Sequence, residues 1–575
     1  MPDGTEEYLQ VLEGVSAKHT VQPYGNFFVN PAAGETYREH AKTEVNYFST
    51  NFYTDYKLSL NKVHNFTFLL GEQSEYYHRE TNRHATTDAD LGQQEGDATL
   101  TSWKEGEWAS LGFFGRLNYN YDNRYMLEFN LRADGASRFP KNQKWGCFPS
   151  ASVGWNIAEE KFWRPLYDKG FSYLKLRGSW ANSGNQNTNS FYPYFQEMNT
   201  YLGEAFINGQ QVTVLPMYAP VSTSLTWERI ENIGVGIDWG FFKNRLQGSF
   251  DLYQRKTKDM VGPANALSSI YGDKAPRTNN AELRTRGWEL ELSWRDHIGK
   301  DFSYSVSATL SDYNTKITKY DSPDNKITGW YKGKKVGDIW GFGVEGIAKS
   351  DAEMYEYLSH HSQSSIGNKW GGGDLMYSDL NNDGQVDKGS ETLDDHGDLR
   401  VIGNTTPRYA YSFTLDATWK FINIRAFFQG IGKRDFFFTN SSTFFGMAGE
   451  WQRSLCKDHL DYFRYAGSEL GANYENPYYA RLRIDQNNIQ VSDRYLQNAS
   501  YLRLKNLQIG FNLPENTKLS RWVKKGRLYI SGENLLTWTK LRIFDPEAVG
   551  NFENWGPGKT YPQYRTWSVG LDVTF

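Results

Sequence analysis

The chain has 575 residues and a net charge of −4, from 63 Lys and Arg residues against 67 Asp and Glu residues. This balance provides no strong basic field and argues against nucleic acid as a partner. No run of about 18 apolar residues occurs, which excludes a transmembrane helix. Aromatic residues make up 16% of the chain, a share that suits interfacial aromatic girdles or ligand-stacking surfaces.

Two-sided strands recur along the chain from Thr43 onward, because apolar and polar residues alternate with the period of a strand. The segment 124–133 is an example, with Tyr125, Leu127, Phe129, Leu131 and Ala133 on one side and Glu128, Asn130 and Arg132 on the other. The first forty residues are ambiguous and hold at most one strand, near Asn26–Asn30. The pattern predicts strands at 43–57, 63–77, 109–121, 124–133, 148–158, 171–182, 226–240, 245–256, 284–295, 302–313, 405–419, 424–435, 498–512, 527–539 and 565–575.

The connections between these strands alternate between short and long. Asp122-Asn123 and Lys243-Asn244 predict tight turns, whereas 314–404 and 436–497 are long insertions. A membrane barrel has short turns at one rim and long loops at the other. The fold class predicted is therefore all-β, an antiparallel transmembrane β-barrel of about 15 or 16 strands with long external loops.

The closing strand carries the sharpest form of this prediction. Its large apolar side chains share one face: Trp567, Val569, Leu571, Val573 and Phe575. In a barrel this row faces lipid. In the alternative fold, a soluble sandwich, the same row is covered by a second sheet.

An Asp-rich segment matches the front of a calcium loop. The oxygen ligands would come from Asp379, Asn381, Asp383, Gln385 and Asp387. The twelfth position is Ser390, where Glu is expected, which leaves open an Asx-rich turn that makes its own hydrogen bonds. If calcium binds, it is expected to stiffen the loop; no other cofactor is required.

No constellation of residues supports catalysis, so the chain is not expected to be an enzyme. The only adjacent histidine pair, His360-His361, has no carboxylate at ligand spacing. Cys147 and Cys456 lie in no metal or redox spacing and are expected to be unpaired. The segment Gly371–Gly373 is interpreted as a flexible hinge, and Ser350–Glu353 as a capping box that begins a short helix.

Aromatic residues of the predicted loops could stack on sugar rings, or could anchor the packing of the loops. These candidate ligand-binding residues are Tyr192, Tyr194, Trp330, Trp340 and Trp370.

Several stretches together resemble one family. They include Leu131–Phe139 followed by Phe148-Pro149-Ser150 and Val153-Gly154-Trp155, then Leu174–Trp180, Leu225–Glu228, Arg286–Glu289, Ser500–Asn506, Asn534–Thr539, Asp545-Pro546-Glu547 and Tyr561-Pro562. The set is similar to the SusC/RagA-type TonB-dependent outer-membrane transporters and covers the chain from about Thr43 to Phe575. The motif residues that match most closely are Asp134, Gly135, Ser137, Arg138, Phe139, Phe148, Pro149, Ser150, Asp545, Pro546 and Glu547.

The resemblance implies a barrel of about 22 strands with a plugged lumen, located in the outer membrane of a Gram-negative cell. It further implies uptake of oligosaccharides or peptides, a SusD-like surface lipoprotein as partner, and energy from the TonB system through a plug domain. No signal peptide or plug domain is recognised before the first strands. The expectation is therefore that residues 1–575 are the C-terminal barrel portion of such a transporter, in contact with outer-membrane lipid.

The alternative function is a soluble or secreted all-β protein that binds carbohydrate or acts as an adhesin. In that case the aromatic residues would bind glycans, and a second sheet would cover the apolar strand faces.

Overall fold

The computed structural model describes residues 6–12, 15–30, 35–88, 99–188, 190–195, 201–207, 210–214, 221–262, 276–322, 324–439, 443–445, 457–514, 517, 522–550 and 561–575. The chain divides into two compact units. The first comprises Met1–Glu160, Leu176–Gly234 and Arg255–Leu283, and the second comprises Lys161–Lys175, Val235–Gln254 and Arg284–Phe575.

Most of the described residues lie in strands. In order they are β1 (Glu6–Leu12), β2 (Val15–Asn30), β3 (Glu35–Leu60), β4 (His64–Asp88), β5 (Thr99–Tyr121), β6 (Tyr125–Ala136), β7 (Trp145–Asn156), β8 (Phe171–Asn185), β9 (Tyr201–Ile207), β10 (Gln210–Val214), β11 (Glu228–Phe241), β12 (Leu246–Gly262), β13 (Thr278–Ile298), β14 (Phe302–Lys319), β15 (Asp338–Phe342), β16 (Val344–Ile347), β17 (Leu375–Tyr377), β18 (Leu399–Asn404), β19 (Arg408–Trp419), β20 (Ile422–Lys433), β21 (Asp435–Phe436), β22 (Gln497–Asn498), β23 (Tyr501–Asn512), β24 (Lys525–Thr539) and β25 (Thr566–Thr574). Within the described ranges, two α-helices lie between strands, α1 (Arg164–Asp168) and α2 (Asp351–His360).

In the first unit, β1 to β7 form an antiparallel meander in which each strand pairs with the next. The turn from β5 to β6 passes through Asp122 and Asn123, both with positive φ, and Arg124 N donates to Tyr121 O at 2.9 Å. Two consecutive residues with positive φ give the twist of a tight hairpin, so the predicted turn is confirmed.

The two faces of this meander differ in the way that the alternation predicts. Leu127, Phe129 and Leu131 of β6 are exposed, whereas Glu128 and Arg132 point to the opposite side. We call the first side the apolar face and the second the polar face. The exposed apolar side of β6 is thus confirmed.

In the second unit, β14 pairs with β19, and β19, β20, β23, β24 and β25 then pair in succession, all antiparallel. A two-residue turn joins β19 to β20, since Trp419 is opposite Ile422. The row on β25 is uncovered: Trp567, Val569 and Leu571 are 67%, 74% and 69% exposed. No second layer covers this row within the described part of the chain, in contrast to what a sandwich requires, and Ser568 and Asp572 on the opposite side of β25 are exposed as well.

All fifteen predicted strands are present, but several boundaries differ. β1, most of β2 and the first residues of β3 were missed, and β4 continues to Asp88, eleven residues beyond the predicted end. The sequence of these missed segments mixes polar and apolar residues without the regular alternation by which the other strands were found. The predicted end of β7 was also wrong, because Ile157 is buried and begins a 3₁₀ turn.

The long insertion after β14 is folded around its own core. β15 pairs with β18, β16 pairs with β17, and α2 begins at an N-cap in which Ser350 Oγ accepts from Glu353 N. Ser350 is therefore confirmed as the N-cap, whereas the Glu353 carboxylate accepts from the amide of Lys349, one residue before the N-cap, at 2.6 Å. The core of this insertion also includes side chains from the later insertion: Ile327, Phe342, Ala348, Met354, Trp370, Leu375, Tyr377, Val386 and Leu399 pack with Phe444, Tyr479, Ala480 and Tyr495.

Candidate functional site

An aromatic cluster lies on the polar face of the first unit. Tyr77 and Trp108 are opposite each other in the register of β4 and β5, and their rings stack with centroids 5.9 Å apart. Phe191, from the loop after β8, approaches Tyr77 at the same centroid distance. Phe191 can lie here because Gly106 has no side chain; a Cβ at this position would overlap the ring.

Arg138 adds a cation to this aromatic cluster. Its guanidinium carbon lies 5.1 Å from the ring centroid of Trp108 and 5.6 Å from that of Phe191. Its Nη1 donates to Thr188 O at 3.4 Å, and its buried Nε has no hydrogen-bond partner among the described residues. Burial lowers the pKa of Arg138 below the ordinary value for arginine, because removal from water disfavours the charged form.

The predicted ligand-binding pair Tyr192 and Tyr194 lies beside this cluster. Tyr192 OH accepts from Glu107 N at 3.3 Å, and Tyr194 OH donates to Ser137 O at 3.1 Å. Both rings also contact Phe195. The two hydroxyls therefore attach the loop to β5 and to the β6–β7 connection, and a role in ligand binding stays a prediction.

The motif residues of the first unit build the rim next to this cluster. Ser137 exchanges hydrogen bonds with Ala109, since Ser137 N donates to Ala109 O and Ala109 N donates to Ser137 Oγ, both at 2.9 Å. Phe139 and Phe148 are buried against Trp227, whose Nε1 donates to Lys144 O at 2.9 Å. These contacts fix the position from which Arg138 projects.

The other motif residues are in or next to paired strands. Asp134 forms an ion pair with Arg132 at 2.7 Å. Gly135 is opposite Trp145, and a Cβ at Gly135 would lie 3.0 Å from that indole. Pro149 and Ser150 are opposite Leu131 and Asn130 in the register of β6 and β7.

The three predicted tryptophans of the second unit have different environments. Trp370 is buried in the core of the insertion, and its Nε1 donates to Gly367 O at 3.0 Å. Trp340 packs against the same core and donates to Tyr331 OH at 3.3 Å. Trp330 makes an edge contact with Tyr320. Trp340 and Trp370 therefore act as packing anchors, and a role of the three rings in ligand binding stays a prediction.

A buried carboxylate that the sequence did not reveal holds the insertion together. Asp374 has no exposed side-chain surface and accepts from Arg481 Nε at 2.6 Å, Arg483 Nη1 at 3.0 Å and Asn488 Nδ2 at 2.8 Å. The Gly371 amide is a further donor at 2.9 Å. Both oxygens of Asp374 are therefore satisfied by donors that lie more than a hundred residues away or in its own turn.

The predicted hinge at Gly371–Gly373 is wrong. The three glycines are buried, Gly372 N donates to Asp351 Oδ1 at 2.7 Å, and Gly373 N donates to Ala348 O at 2.6 Å. A Cβ at Gly372 would lie 2.8 Å from backbone and side-chain atoms of neighbouring segments. Close packing, not flexibility, requires glycine here.

The Asp-rich segment forms a compact loop in which the carboxylates accept from nearby amides. Asp379 accepts from Asn382 N at 2.7 Å and Gly384 N at 2.8 Å, and Asp383 accepts from Gln385 N at 2.8 Å. Asn381 Nδ2 donates to Asp383 at 3.0 Å. Asp387 accepts from the Gly389 amide at 2.7 Å.

Two further groups brace this loop. Asp398, fully buried, accepts from the amides of Leu380 and Asp387 at 2.7 and 2.8 Å, and burial raises its pKa despite these bonds. His361 Nδ1 lies 3.3 Å from Asp379 Oδ2. Burial works to raise the pKa of Asp379, but hydrogen bonds from the Gly384 amide and His361 outweigh it, so the pKa is lowered. The fold thus supplies His361 with a carboxylate that spacing along the chain did not indicate.

The candidate calcium ligands Asp379, Asn381, Asp383, Gln385 and Asp387 are all in this loop. The hydrogen bonds are those of an Asx-rich turn, and such bonds are also compatible with a cation held by the remaining oxygen lone pairs. Among the described residues, no group of three or more His, Cys, Asp or Glu side chains is placed to hold a metal ion. Calcium at this loop stays a prediction.

The motif near the end of the chain forms a second buried charge network. Arg503 on β23 donates from Nη2 to both oxygens of Asp545 at 2.8 Å. Glu547 lies 3.2 Å from Arg503 and 3.0 Å from Lys505. Pro546 between the two acids is buried. The network attaches the 541–550 loop to β23.

An open cleft of about 760 Å³, which no sequence pattern predicted, lies in the second unit. It is lined by Lys457, Asp458, Leu460, Asp461, Arg464, Asn473, Arg542 and Ile543. Arg542 forms a bidentate pair with Asp458 and lies 3.9 Å from the ring centroid of Tyr478. The residues that line the cleft come from segments far apart along the chain, so no local motif indicates the cleft.

The structure also bears on the predictions for the two cysteines and for membrane-spanning helices. Cys147 is a free, exposed thiol, and Cys456 lies outside the described residues. Among the helices that the structure describes, none is long and apolar enough to cross a membrane.

Comparison with known proteins gives a consistent result. Residues 10–535 match the family model described as TonB dependent receptor-like, beta-barrel. A TonB-dependent receptor of Formosa agariphila is 28% identical over 485 residues, which are 80% of this chain and 45% of that protein. The TonB-dependent receptor SusC of Bacteroides thetaiotaomicron is 26% identical over 550 residues, which are 92% of this chain and 50% of that protein.

Among solved structures, the RagAB peptide transporter matches with a TM-score of 0.76 at 22% identity, over 98% of this chain and 60% of that chain. At this identity the match is informative about the fold alone. It agrees with an all-β architecture dominated by a large antiparallel sheet. The chain spans about half the length of the curated relatives that it matches.

Proposed function

The chain belongs to the TonB dependent receptor-like, beta-barrel family, and from this premise we propose that it supplies the barrel wall and external loops of a SusC-type nutrient importer. Its place is the outer membrane of a Gram-negative cell. The solute crosses along the polar face, and work from the TonB system reaches the transporter through a plug domain.

The observation that supports this function best is the two-sided wall. In the first unit, Leu127 and Phe129 of β6 are exposed on one face, and the Arg132–Asp134 ion pair of the same strand lies on the other. An exposed apolar row is unfavourable in water but suits a strand that faces lipid. A soluble carbohydrate-binding or adhesive protein would cover such a row, so no observation favours that alternative.

The proposed partner is a SusD-like surface lipoprotein, which would close over the external loops. The folded insertion of the second unit suits this role, because its core and buried ion pairs give a partner a fixed surface. One relative is named SusC and one structural match is the RagAB peptide transporter. The name of that structural match motivates peptides as proposed solutes, and the resemblance to the SusC/RagA-type transporters motivates oligosaccharides.

We further propose that calcium, where it binds, stiffens the loop of Asp379–Asp387 and takes no part in transport chemistry. Its oxygen-rich side chains are those that a hard cation prefers.

Two experiments test the proposed function. First, the protein should stay in the membrane fraction after carbonate extraction, whereas a secreted binder would be washed off. Second, cells that carry the parent transporter should take up oligosaccharides or short peptides only while TonB is present. Uptake that is unchanged without TonB would refute the importer.

A further inference from the structure

Arg138 is a cation for which the described structure supplies no anion. It makes no ion pair with a described carboxylate, and its one hydrogen bond, to Thr188 O, is long at 3.4 Å. Its buried Nε has no hydrogen-bond partner in the part of the chain that the structure describes. Most buried polar groups in native proteins are paired, and an exception needs an explanation such as a ligand, water or ion that supplies the missing partner.

The surroundings hold this guanidinium in place without neutralising it. The rings of Trp108 and Phe191 lie 5.1 and 5.6 Å away, and aromatic faces attract a cation while leaving its in-plane N–H groups available. The backbone before Arg138 is fixed by the two hydrogen bonds between Ser137 and Ala109. The side chain is thus positioned before any ligand arrives.

The location of the cluster decides which ligands can reach it. Trp108 and Tyr77 belong to the polar face, because the neighbouring residues Tyr76, Leu111 and Phe113 are exposed on the apolar one. In the proposed importer this polar face lines the path of the solute. A fixed arginine on that path offers a planar pair of donors, the geometry that matches a carboxylate.

We propose that Arg138 binds a carboxylate group of the transported solute, which is either the C-terminus of a peptide or a uronic acid of an oligosaccharide. The proposal rests on the proposed import function and refines it: the solute carries a negative charge that Arg138 recognises between Trp108 and Phe191.

The test measures binding by calorimetry to the purified full chain in detergent micelles. Two matched pairs of probes are used: triglycine with its C-terminal amide, and trigalacturonate with its neutral methyl ester. We expect at least one acid to bind about tenfold more tightly than its neutral partner, as one charge-assisted hydrogen bond contributes about that factor. The pair that discriminates identifies the source of the carboxylate.

Variants tie the effect to one side chain. Arg138→Gln should abolish the preference for the acid, and Arg138→Lys should keep part of it, because lysine retains the charge but not the planar pair of donors. Lys141→Gln, which removes an exposed cation three residues along the same loop, is the matched control and should bind like the wild type. Far-UV circular dichroism checks that each variant is folded, and Arg138→Lys remains informative if Arg138→Gln is not.

The proposal is overturned if the wild type does not distinguish either acid from its neutral partner, or if folded Arg138→Gln still does. Equal loss of discrimination in Lys141→Gln would also overturn it, since a general charge effect would then explain the result. TonB-dependent uptake of a neutral solute would leave the import function standing while removing this inference, so the two failures are distinguishable.

Discussion

The closing strands and the folded insertion belong to the same unit, but large apolar side chains are exposed on the strands and buried in the insertion. On β24 and β25, Ile530, Val569 and Leu571 are about half exposed or more. In the insertion, Met354 and Leu375 have no exposed surface. The insertion therefore satisfies the rule for a protein in water, whereas the strands satisfy the rule for a wall in lipid. The burial of large apolar side chains therefore distinguishes segments suited to water from segments suited to lipid within one chain.

The largest expected effect lies in the insertion, at its buried carboxylate. Asp374→Ala leaves Arg481 and Arg483 without their shared partner, which should destabilise the insertion by about 3–5 kcal/mol. Limited proteolysis and thermal unfolding should both register the loss. Asp394→Ala removes an exposed carboxylate of the same insertion and should change stability by less than about 0.5 kcal/mol. Similar results for the two variants would contradict the network.

The lipid-facing side of the comparison is tested on the last strand. Val569→Arg puts a charge on the apolar face near the middle of β25 and should destabilise the protein in lipid vesicles by about 2–4 kcal/mol. Ser568→Arg puts the same charge on the opposite face and should cost about 1 kcal/mol or less. Urea midpoints in vesicles compare the two. If Ser568→Arg is the costlier variant, the faces have been assigned the wrong way round.

A smaller effect should distinguish the insertion by its response to acid. The pKa of Asp379 is lowered in the folded state, so its contribution to stability is present above the ordinary carboxyl pKa of about 3.9 and is lost as the pH falls through the folded pKa. Asp379→Asn should therefore lose less stability than the wild type between pH 6 and pH 3. Asp398 has a raised pKa and acts in the opposite direction, so its replacement by Asn should not give this protection. Thermal unfolding at several pH values measures both.

The smallest expected effect concerns calcium. Asp383→Ala should increase protease cleavage within the Asp379–Asp387 loop only when calcium is present, because the variant lacks one ligand of the proposed site. The same digestion with a chelator should make the wild type and the variant alike. If calcium changes the cleavage of neither protein, the loop does not bind calcium and is an Asx-rich turn alone.

The two-sided strands could be predicted from the sequence because the pattern that indicates them lies within a few neighbouring residues. A strand that meets lipid on one side and polar groups on the other repeats every two residues, and short turns such as Asp122-Asn123 mark its ends. Strand ends were predicted less well, since beyond the apolar band both sides of β4 are polar and the period disappears.

The insertion was much less accessible, because its contacts join residues far apart along the chain. Asp374 meets Arg481 and Asn488, and no spacing rule connects such positions. The glycines before Asp374 gave a misleading signal, since a glycine run can denote either flexibility or close packing. Of the predicted aromatic ligands, Trp370 is a core residue, and only its surroundings distinguish a buried ring from a binding one.

Arg138 was recognised only as part of a motif. Its neighbours along the chain did not reveal that Trp108 and Phe191 surround it, because β5 and the loop after β8 meet only in the folded unit.

The shared core of the two insertions limits how such a protein can be recombined. Phe444, Tyr479 and Tyr495 from the later insertion complete a core begun by Phe342 and Tyr377 in the earlier one. A chimera that exchanged only one insertion with a relative would bring together two half-cores that never adapted to each other. Recombination, natural or engineered, should therefore succeed when both segments travel as a single cassette.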